Sequence, residues 1–305
     1  MDYVLSSDGL CKYYKSFKAL EDFSVHIPKG SIYGLVGKNG AGKTTFIRII
    51  CGLQKPTKGS FSLYGTDSRK TSQLEKQRER MGAVVETPSL YSDMTAKDNI
   101  IQQYRVLGKP DDKGADELLA LVGLSGTGKK KAKNFSLGMK QRLGIAVALA
   151  GNPDFLVLDE PINGLDPQGI IEIRELLLKL NREMGITVLI SSHILDELSR
   201  IATHYGFVDG GHIIKEISAR DLENACKKYV TVRAENLPAF LKYMDERNIA
   251  YKVADDTRVN VYGDIDINDA VLSLSGTGFR FLGASEHEES LESFFINLTG
   301  GKDNA

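Results

Sequence analysis

Residues Ser31 to Cys51 read SIYGLVGKNGAGKTTFIRIIC: a short apolar run, a glycine-rich turn and the opening of a helix. The turn, Gly37-Lys38-Asn39-Gly40-Ala41-Gly42-Lys43-Thr44, fits the pattern G-x-x-x-x-G-K-[ST]. Its glycines let backbone N–H groups curl around phosphate oxygens where side chains would obstruct. Lys43 would reach the β and γ phosphates of a nucleotide, and the Thr44 hydroxyl would ligate Mg2+. Thr45 to Cys51 opens a helix whose N-terminus favours an anion. The bland alternative is a turn that binds nothing; the strand before it and the helix after it argue against that. A second stretch, Gly123 to Lys130 (GLSGTGKK), matches the same pattern except that Lys130 stands where Ser or Thr is needed. It offers no hydroxyl for Mg2+ and follows a helical pattern, so it reads as a loop.

Working outward, Phe155 to Leu158 (FLVL) and Ile186 to Ile190 (ITVLI) are short, apolar and largely β-branched. Runs without alternation suit buried parallel strands. Between them, Ile170, Ile173, Leu176, Leu177 and Leu180 fall at helical spacing. Strand–helix–strand order predicts an α/β core with a mainly parallel sheet up to about Glu216. Residues 90–150 lack a strand signal, and Asp98 to Leu107, Asp116 to Val122 and Leu137 to Ala150 read as helices inserted into that core.

From about Lys228 the pattern changes. Tyr229 to Arg233 and Arg258 to Tyr262 alternate, while Leu237, Phe240, Leu241 and Met244 form a helical stripe. Asp266 is placed to cap a helix running to Gly276, and Phe279 to Leu282 reads as a strand. Leu291, Phe294, Phe295 and Leu298 mark a last helix. The order β-α-β-β-α-β-α predicts a small α+β module of ferredoxin-like type. The expected organisation is a nucleotide-binding domain over 1–222, with a helical subdomain at about 90–150, and an accessory module over 228–305.

Composition narrows the class. The chain has 305 residues, 42% hydrophobic and 26% charged, enough apolar material for a substantial core. Lys and Arg number 39 against 40 Asp and Glu, so the formal charge is −1 and no basic excess marks a nucleic-acid binder. No apolar run approaches the ~18 to 20 residues needed to cross a bilayer. The opening MDYVLSSDGL lacks the basic start and apolar stretch of a signal peptide. Cys11, Cys51 and Cys226 are scattered thiols without metal or disulfide spacing. A cytoplasmic protein is expected.

The acidic pair Asp159-Glu160 ends the run FLVL, and in parallel sheets ligands gather at the carboxyl ends of the strands. Asp159 is placed to hold Mg2+ through water, and Glu160 to polarise an attacking water as general base. A pair of helix-capping carboxylates is the alternative. His193 follows ITVLISS and emerges at the same rim, where it could contact the γ-phosphate and orient the water; a purely structural histidine is the alternative. His26, His204, His212 and His287 have no comparable position.

FSLGMKQR, Phe135 to Arg142, resembles the LSGGQ signature of the ATP-binding cassette (ABC) ATPases. The phosphate loop, signature, acidic pair, Gly164 to Asp166 (GLD) and His193 occur in that family's order, over residues 1 to about 220. The resemblance implies a P-loop NTPase core that binds ATP and Mg2+, with the nucleotide sandwiched in a homodimer or pseudo-dimer. Ser136 and Gly138 of one subunit would then face the γ-phosphate held by Lys43 of the other. Tyr14 would stack on adenine, although a core aromatic is the alternative and Tyr13 lies next door. Asp166 would link the two sites. Leu137 replaces the middle glycine of the signature while Ser136 and Gly138 are kept, so the phosphate contact is expected to survive. Glu86, in VVETPSLY, stands where most members place a Gln that contacts Mg2+ and the attacking water and senses the membrane subunit. A carboxylate there adds negative charge beside the metal, unless it is a loop side chain facing solvent.

Glu86, the SLGMKQR signature and the NGLDP stretch look like the bacitracin-resistance and lantibiotic-export branch, which handles antimicrobial peptides. The implied function is the ATP-hydrolysing subunit that powers a separate integral membrane permease from the cytoplasmic face, with no nucleic acid as partner. The alternative is a soluble mechanical ABC ATPase acting on nucleic acid or the ribosome. Such proteins usually carry long coiled coils or two cassettes, and neither is visible here. A non-hydrolysing regulator is disfavoured by Lys43, Asp159, Glu160 and His193 together. Lys129 to Lys133 (KKKAK) reads as solvated surface, or as a contact to anionic headgroups under a permease.

Overall fold

The computed structural model describes residues 2–109, 114–225, 228–263 and 265–288, with Phe294 and Leu298. The chain divides into two compact units, Met1–Ala219 and Arg220–Ala305.

The first unit opens with a long hairpin, β1 (Tyr3–Tyr14) and β2 (Phe17–Pro28). β3 (Ile32–Val36) runs through the glycine-rich turn into α1 (Lys43–Ile50). β4 (Lys58–Leu63), β5 (Thr66–Asp67), α2 (Thr71–Arg78) and β6 (Met81–Val84) follow. Three helices come next: α3 (Ala96–Val106), α4 (Gly114–Leu121) and α5 (Leu137–Leu149). The unit closes with β7 (Phe155–Asp159), α6 (Pro167–Arg182), β8 (Thr187–Ser192), α7 (Leu195–Ser199), β9 (His204–Asp209) and β10 (His212–Ser218).

A six-stranded sheet has the order β10-β9-β3-β8-β7-β6, parallel except for the antiparallel edge strand β10. Every residue of β3, β7 and β8 is buried, which is why these strands show apolar runs without alternation. The inserted helices α3 to α5 lie where the sequence predicts them. At Gly123 to Lys130 only a single 3-10 turn, Ser125–Thr127, forms, in keeping with a loop.

A second, antiparallel sheet of order β2-β1-β4-β5 is the feature the sequence reading misses. β1 carries repeated register shifts against β2, so buried residues come in doublets and the two-residue period is broken. α1 packs into one core with both sheets: Phe46, Ile47, Ile49 and Ile50 meet Leu10, Leu20 and Phe23 of the hairpin and Leu35, Val157 and Leu189 of the parallel strands. Phe23 and Phe46 bring their ring centroids to 4.8 Å. Full burial of an aromatic side chain such as Phe46 contributes roughly 1.5–3 kcal/mol. That burial anchors the helix behind the phosphate loop.

α8 (Ala219–Ala225) begins at the division, and the second unit continues with β11 (Lys228–Glu235), α9 (Leu237–Glu246), β12 (Ala250–Asp255), β13 (Arg258–Tyr262), α10 (Ile267–Ser273) and β14 (Arg280–Glu288). Its antiparallel sheet has the order β12-β13-β11-β14 with its own core of Val232, Phe240, Met244, Val259 and Val261. This is the split βαβ arrangement expected from the element order. Asp266 caps α10 by accepting the Asn268 and Asp269 N–H groups. The last helix expected from Leu291 to Leu298 lies outside the described residues apart from Phe294 and Leu298, and Cys226 also lies outside them.

Candidate active site

The phosphate loop is shaped by two glycines in left-handed conformations, Gly40 at φ +83 and Gly42 at φ +110. At Gly42 a Cβ would also lie 2.7 Å from the Ala19 carbonyl oxygen, so backbone and space both demand glycine. α1 starts at Lys43 without a side-chain cap, whereas α3, α5 and α6 are capped by Thr95, Ser136 and Asp166. The first-turn amides of α1 are therefore left for an anion. Cys51 ends this helix, and burial pushes its thiol up to about 12, with Arg78 opposing the shift and Asp159 adding to it.

The carboxyl ends of β3, β7 and β8 bring Lys43, Asp159, Glu160 and His193 to one rim. Lys43 is only 5% exposed; its Nζ donates to the Gly37 carbonyl at 2.7 Å and to the Lys38 carbonyl at 3.2 Å. The same ammonium lies 3.2 Å from Glu160 Oε1. The other carboxylate oxygen, Oε2, is 2.8 Å from His193 Nδ1. Glu160 itself sits at φ +49, a left-handed conformation uncommon for a residue with a side chain. Such strain at the end of a catalytic strand is the kind that surrounding contacts must hold in place.

Asp159 is 1% exposed. Its Oδ1 accepts a 2.6 Å hydrogen bond from the Ser191 hydroxyl, and its buried Oδ2 has no hydrogen-bond partner. Thr44, half-buried on the first turn of α1, makes no side-chain hydrogen bond to any described residue. A buried carboxyl oxygen without a partner, together with the Thr44 hydroxyl, suits a hard cation such as Mg2+. Among the described residues no cluster of three His, Cys, Asp or Glu side chains is assembled for a metal.

The remaining sequence-predicted residues take other positions. Tyr14 ends β1, is 41% exposed and hydrogen-bonds through its hydroxyl to Gln54, so it is not a core aromatic. Glu86 sits at φ +60 and its carboxylate is paired with Arg48 of α1. Ser136 accepts the Met139 N–H at 3.3 Å, and Asp166 accepts the Gly169 N–H at 2.9 Å, each capping its helix. No hydrogen bond or ion pair links Ser136, Gly138 or Asp166 to Lys43, Glu160 or His193 within the chain. In the KKKAK stretch Lys133 pairs with Asp93 at 2.8 Å, and Lys130 lies over the Phe135 ring.

Two residues escaped the sequence reading. Ser191 joins the two acidic residues, and Arg48 neutralises Glu86. The signal for Ser191 was a polar pair, Ser191-Ser192, closing an otherwise apolar strand. Arg48 gave none, because its partner lies in a distant loop.

Comparison with known proteins accords with this geometry. The family model described as ABC transporter matches residues 20–163. The bacitracin transport ATP-binding protein BcrA of Bacillus licheniformis is 37% identical over 304 residues, covering 99% of this chain and 99% of that protein. The lantibiotic transport ATP-binding protein SrtF of Streptococcus pyogenes is 41% identical over 221 residues, 72% of this chain and 93% of that one. Among solved structures, the dimeric ATP-binding cassette MJ0796 in a post-hydrolysis state with ADP and Pi aligns with a TM-score of 0.64 at 28% identity, over 71% of this chain and 99% of that one. Shared sequence from end to end, with a phosphate loop and acidic pair folded to one rim, means that this chain belongs to the ABC transporter family as an ATP-binding and ATP-hydrolysing subunit.

Proposed function

We propose that the chain drives a separate integral membrane permease from the cytoplasmic face, in export of, or resistance to, an antimicrobial peptide. The observation that carries this reading is the end-to-end similarity to a bacitracin transport subunit, supported by similarity to a lantibiotic transport subunit over 72% of the chain. Among the described residues no helix is long and apolar enough to cross a membrane, and in this reading a separate permease provides the passage.

In the proposed mechanism Lys43, the loop from Gly37 to Thr45 and the open N-terminus of α1 bind the phosphates of ATP. Tyr14, exposed at the end of β1, offers its ring to the adenine. Thr44 and Asp159, and Glu86 by the family resemblance, would hold Mg2+, which would supply neutralisation of charge on the phosphates. Phosphate arriving at Lys43 displaces Glu160 from its ammonium, and the freed carboxylate takes the proton of the attacking water. His193, in contact with Glu160, orients that carboxylate and the water. Ser136 and Gly138 open α5 and would complete the site of a second copy across ATP, with Asp166 linking the two sites. Closure shifts the population because nucleotide binds the closed pair better, and the permease responds to that difference.

The test is to express tagged Glu160→Gln chain in its native host, solubilise the membranes with ATP present, and identify what co-purifies by mass spectrometry. A polytopic membrane protein in stoichiometric amount is expected. A soluble partner, nucleic acid or ribosome in its place would overturn the transport reading.

A further inference from the structure

Ser191 lies near the end of β8, fully buried and in register with Asp159 of β7. Its hydroxyl makes two hydrogen bonds, and chemistry dictates their direction. A carboxylate only accepts and a backbone N–H only donates. The hydroxyl therefore gives its proton to Asp159 Oδ1 at 2.6 Å and accepts the Glu160 N–H at 2.9 Å.

Each bond has a consequence. The first occupies Oδ1 and leaves Oδ2 as the buried oxygen without a partner, so the carboxylate is turned with one defined atom left over. The second ties down the amide of Glu160 in its left-handed conformation, φ +49, from which the side chain reaches Lys43 and His193. The hydroxyl thus restrains two neighbouring carboxylates that are read as having different roles. Ser192, equally buried, does neither: its hydroxyl accepts the Ile194 N–H at 2.9 Å.

We propose that Ser191 is the positioning residue for hydrolysis, fixing the orientation of the metal-holding carboxylate Asp159 and the backbone turn that presents the base Glu160. The proposal rests on the site reading above. Removing the hydroxyl leaves Asp159 without its side-chain hydrogen bond and the Glu160 N–H without its acceptor. Groups that orient metal ligands from behind cost 10–100-fold in metal affinity or activity when lost, as an order of magnitude.

The experiment uses the full chain with a non-hydrolysable ATP analogue and Mn2+ as the spectroscopic probe, read by electron paramagnetic resonance. Ser191→Ala is expected to weaken Mn2+ binding by about 10- to 100-fold, and to raise the Mg2+ concentration for half-maximal ATPase in step. Ser191→Thr, which keeps the hydroxyl, restores most of the affinity. Ser192→Ala, which removes a buried hydroxyl of the same strand, binds Mn2+ like the parent. Wild-type Mn2+ affinity in Ser191→Ala, with Asp159→Asn impaired, overturns the proposal and leaves the site reading intact. Wild-type affinity in Asp159→Asn removes the site reading and the proposal together. If Ser191→Ala cannot be purified folded, Ser191→Cys keeps a similar shape with only a weak donor; unchanged Mn2+ affinity in that variant overturns the proposal equally.

Discussion

The Lys43 ammonium lies 3.2 Å from Glu160 Oε1, so the residue read as phosphate anchor and the residue read as general base form an ion pair. The pair is largely withdrawn from water, with side chains 5% and 18% exposed. His193 holds the other Glu160 oxygen, so the base is engaged from both sides. On the proposed mechanism, ATP competes with Glu160 for Lys43 before Glu160 acts as base.

Glu160→Gln is accordingly expected to slow hydrolysis by about 10²- to 10⁴-fold, the usual contribution of general base catalysis. It is also expected to tighten ATP binding, because Lys43 no longer gives up an ionic partner. Steady-state kcat and a nucleotide Kd from calorimetry check both. An unchanged kcat would remove Glu160 from the role of base.

Arg48 and Glu86 form an ion pair with side chains 35% and 54% exposed, a setting worth no more than about 1 kcal/mol. Glu86→Gln should therefore move the melting temperature by no more than about 4 °C. If Glu86 serves the metal, the Mg2+ dependence of ATPase shifts to higher concentration. A Mg2+ curve that does not move would reduce Glu86 to a surface carboxylate held by Arg48.

Gly138 has room for a methyl group: a Cβ there would meet only Leu165 Cδ2 at 3.8 Å and the Gly169 Cα at 3.9 Å. Gly138→Ala should thus leave the folded chain as stable as before, or stabilise it by up to about 1 kcal/mol through helix propensity. ATP-driven dimerisation in the Glu160→Gln background should nevertheless be lost, because the added methyl would stand against the neighbouring copy's phosphate. Ser136→Ala should lose dimerisation too, together with about 1 kcal/mol of helix cap. Sedimentation with and without ATP separates these effects. Normal dimers from Gly138→Ala would sink the proposed role of the signature.

Burial raises the Cys51 thiol to about 12, and a thiol reacts through the small fraction that is thiolate. At pH 8 roughly one molecule in ten thousand would carry the thiolate. Iodoacetamide followed by peptide mapping should find Cys51 unmodified in the native chain at that pH and readily modified in guanidinium. Rapid native labelling would mean that the end of α1 opens far more often than its packing allows.

Much of the first unit was legible because its signals are local. Gly40 and Gly42 must be glycine for the turn they occupy, and FLVL and ITVLI are continuous because both sheet faces cover them. The antiparallel sheet was not legible. The bulges of β1 scramble its alternation, and Ser7 occupies a buried position by giving its hydroxyl to the Phe23 carbonyl and accepting the Val25 N–H. A polar residue inside and apolar residues in doublets do not read as a strand. Tyr14 could be ranked above a core position only once the hairpin was seen to leave it exposed beside Gln54.

The sequence by itself determined the turn of the phosphate loop, the cap at Asp266 and the element order of the second unit, since each depends on conformations and hydrogen bonds within a few residues. Only the tertiary structure decided that Lys43 meets Glu160, that Glu86 meets Arg48, and that Ser191 bridges Asp159 and Glu160. Those contacts depend on the strand order β3-β8-β7-β6, which brings distant parts of the chain close together. In the first unit the order of elements along the chain left the order of the parallel strands open, and the burial of apolar faces in three dimensions decided it.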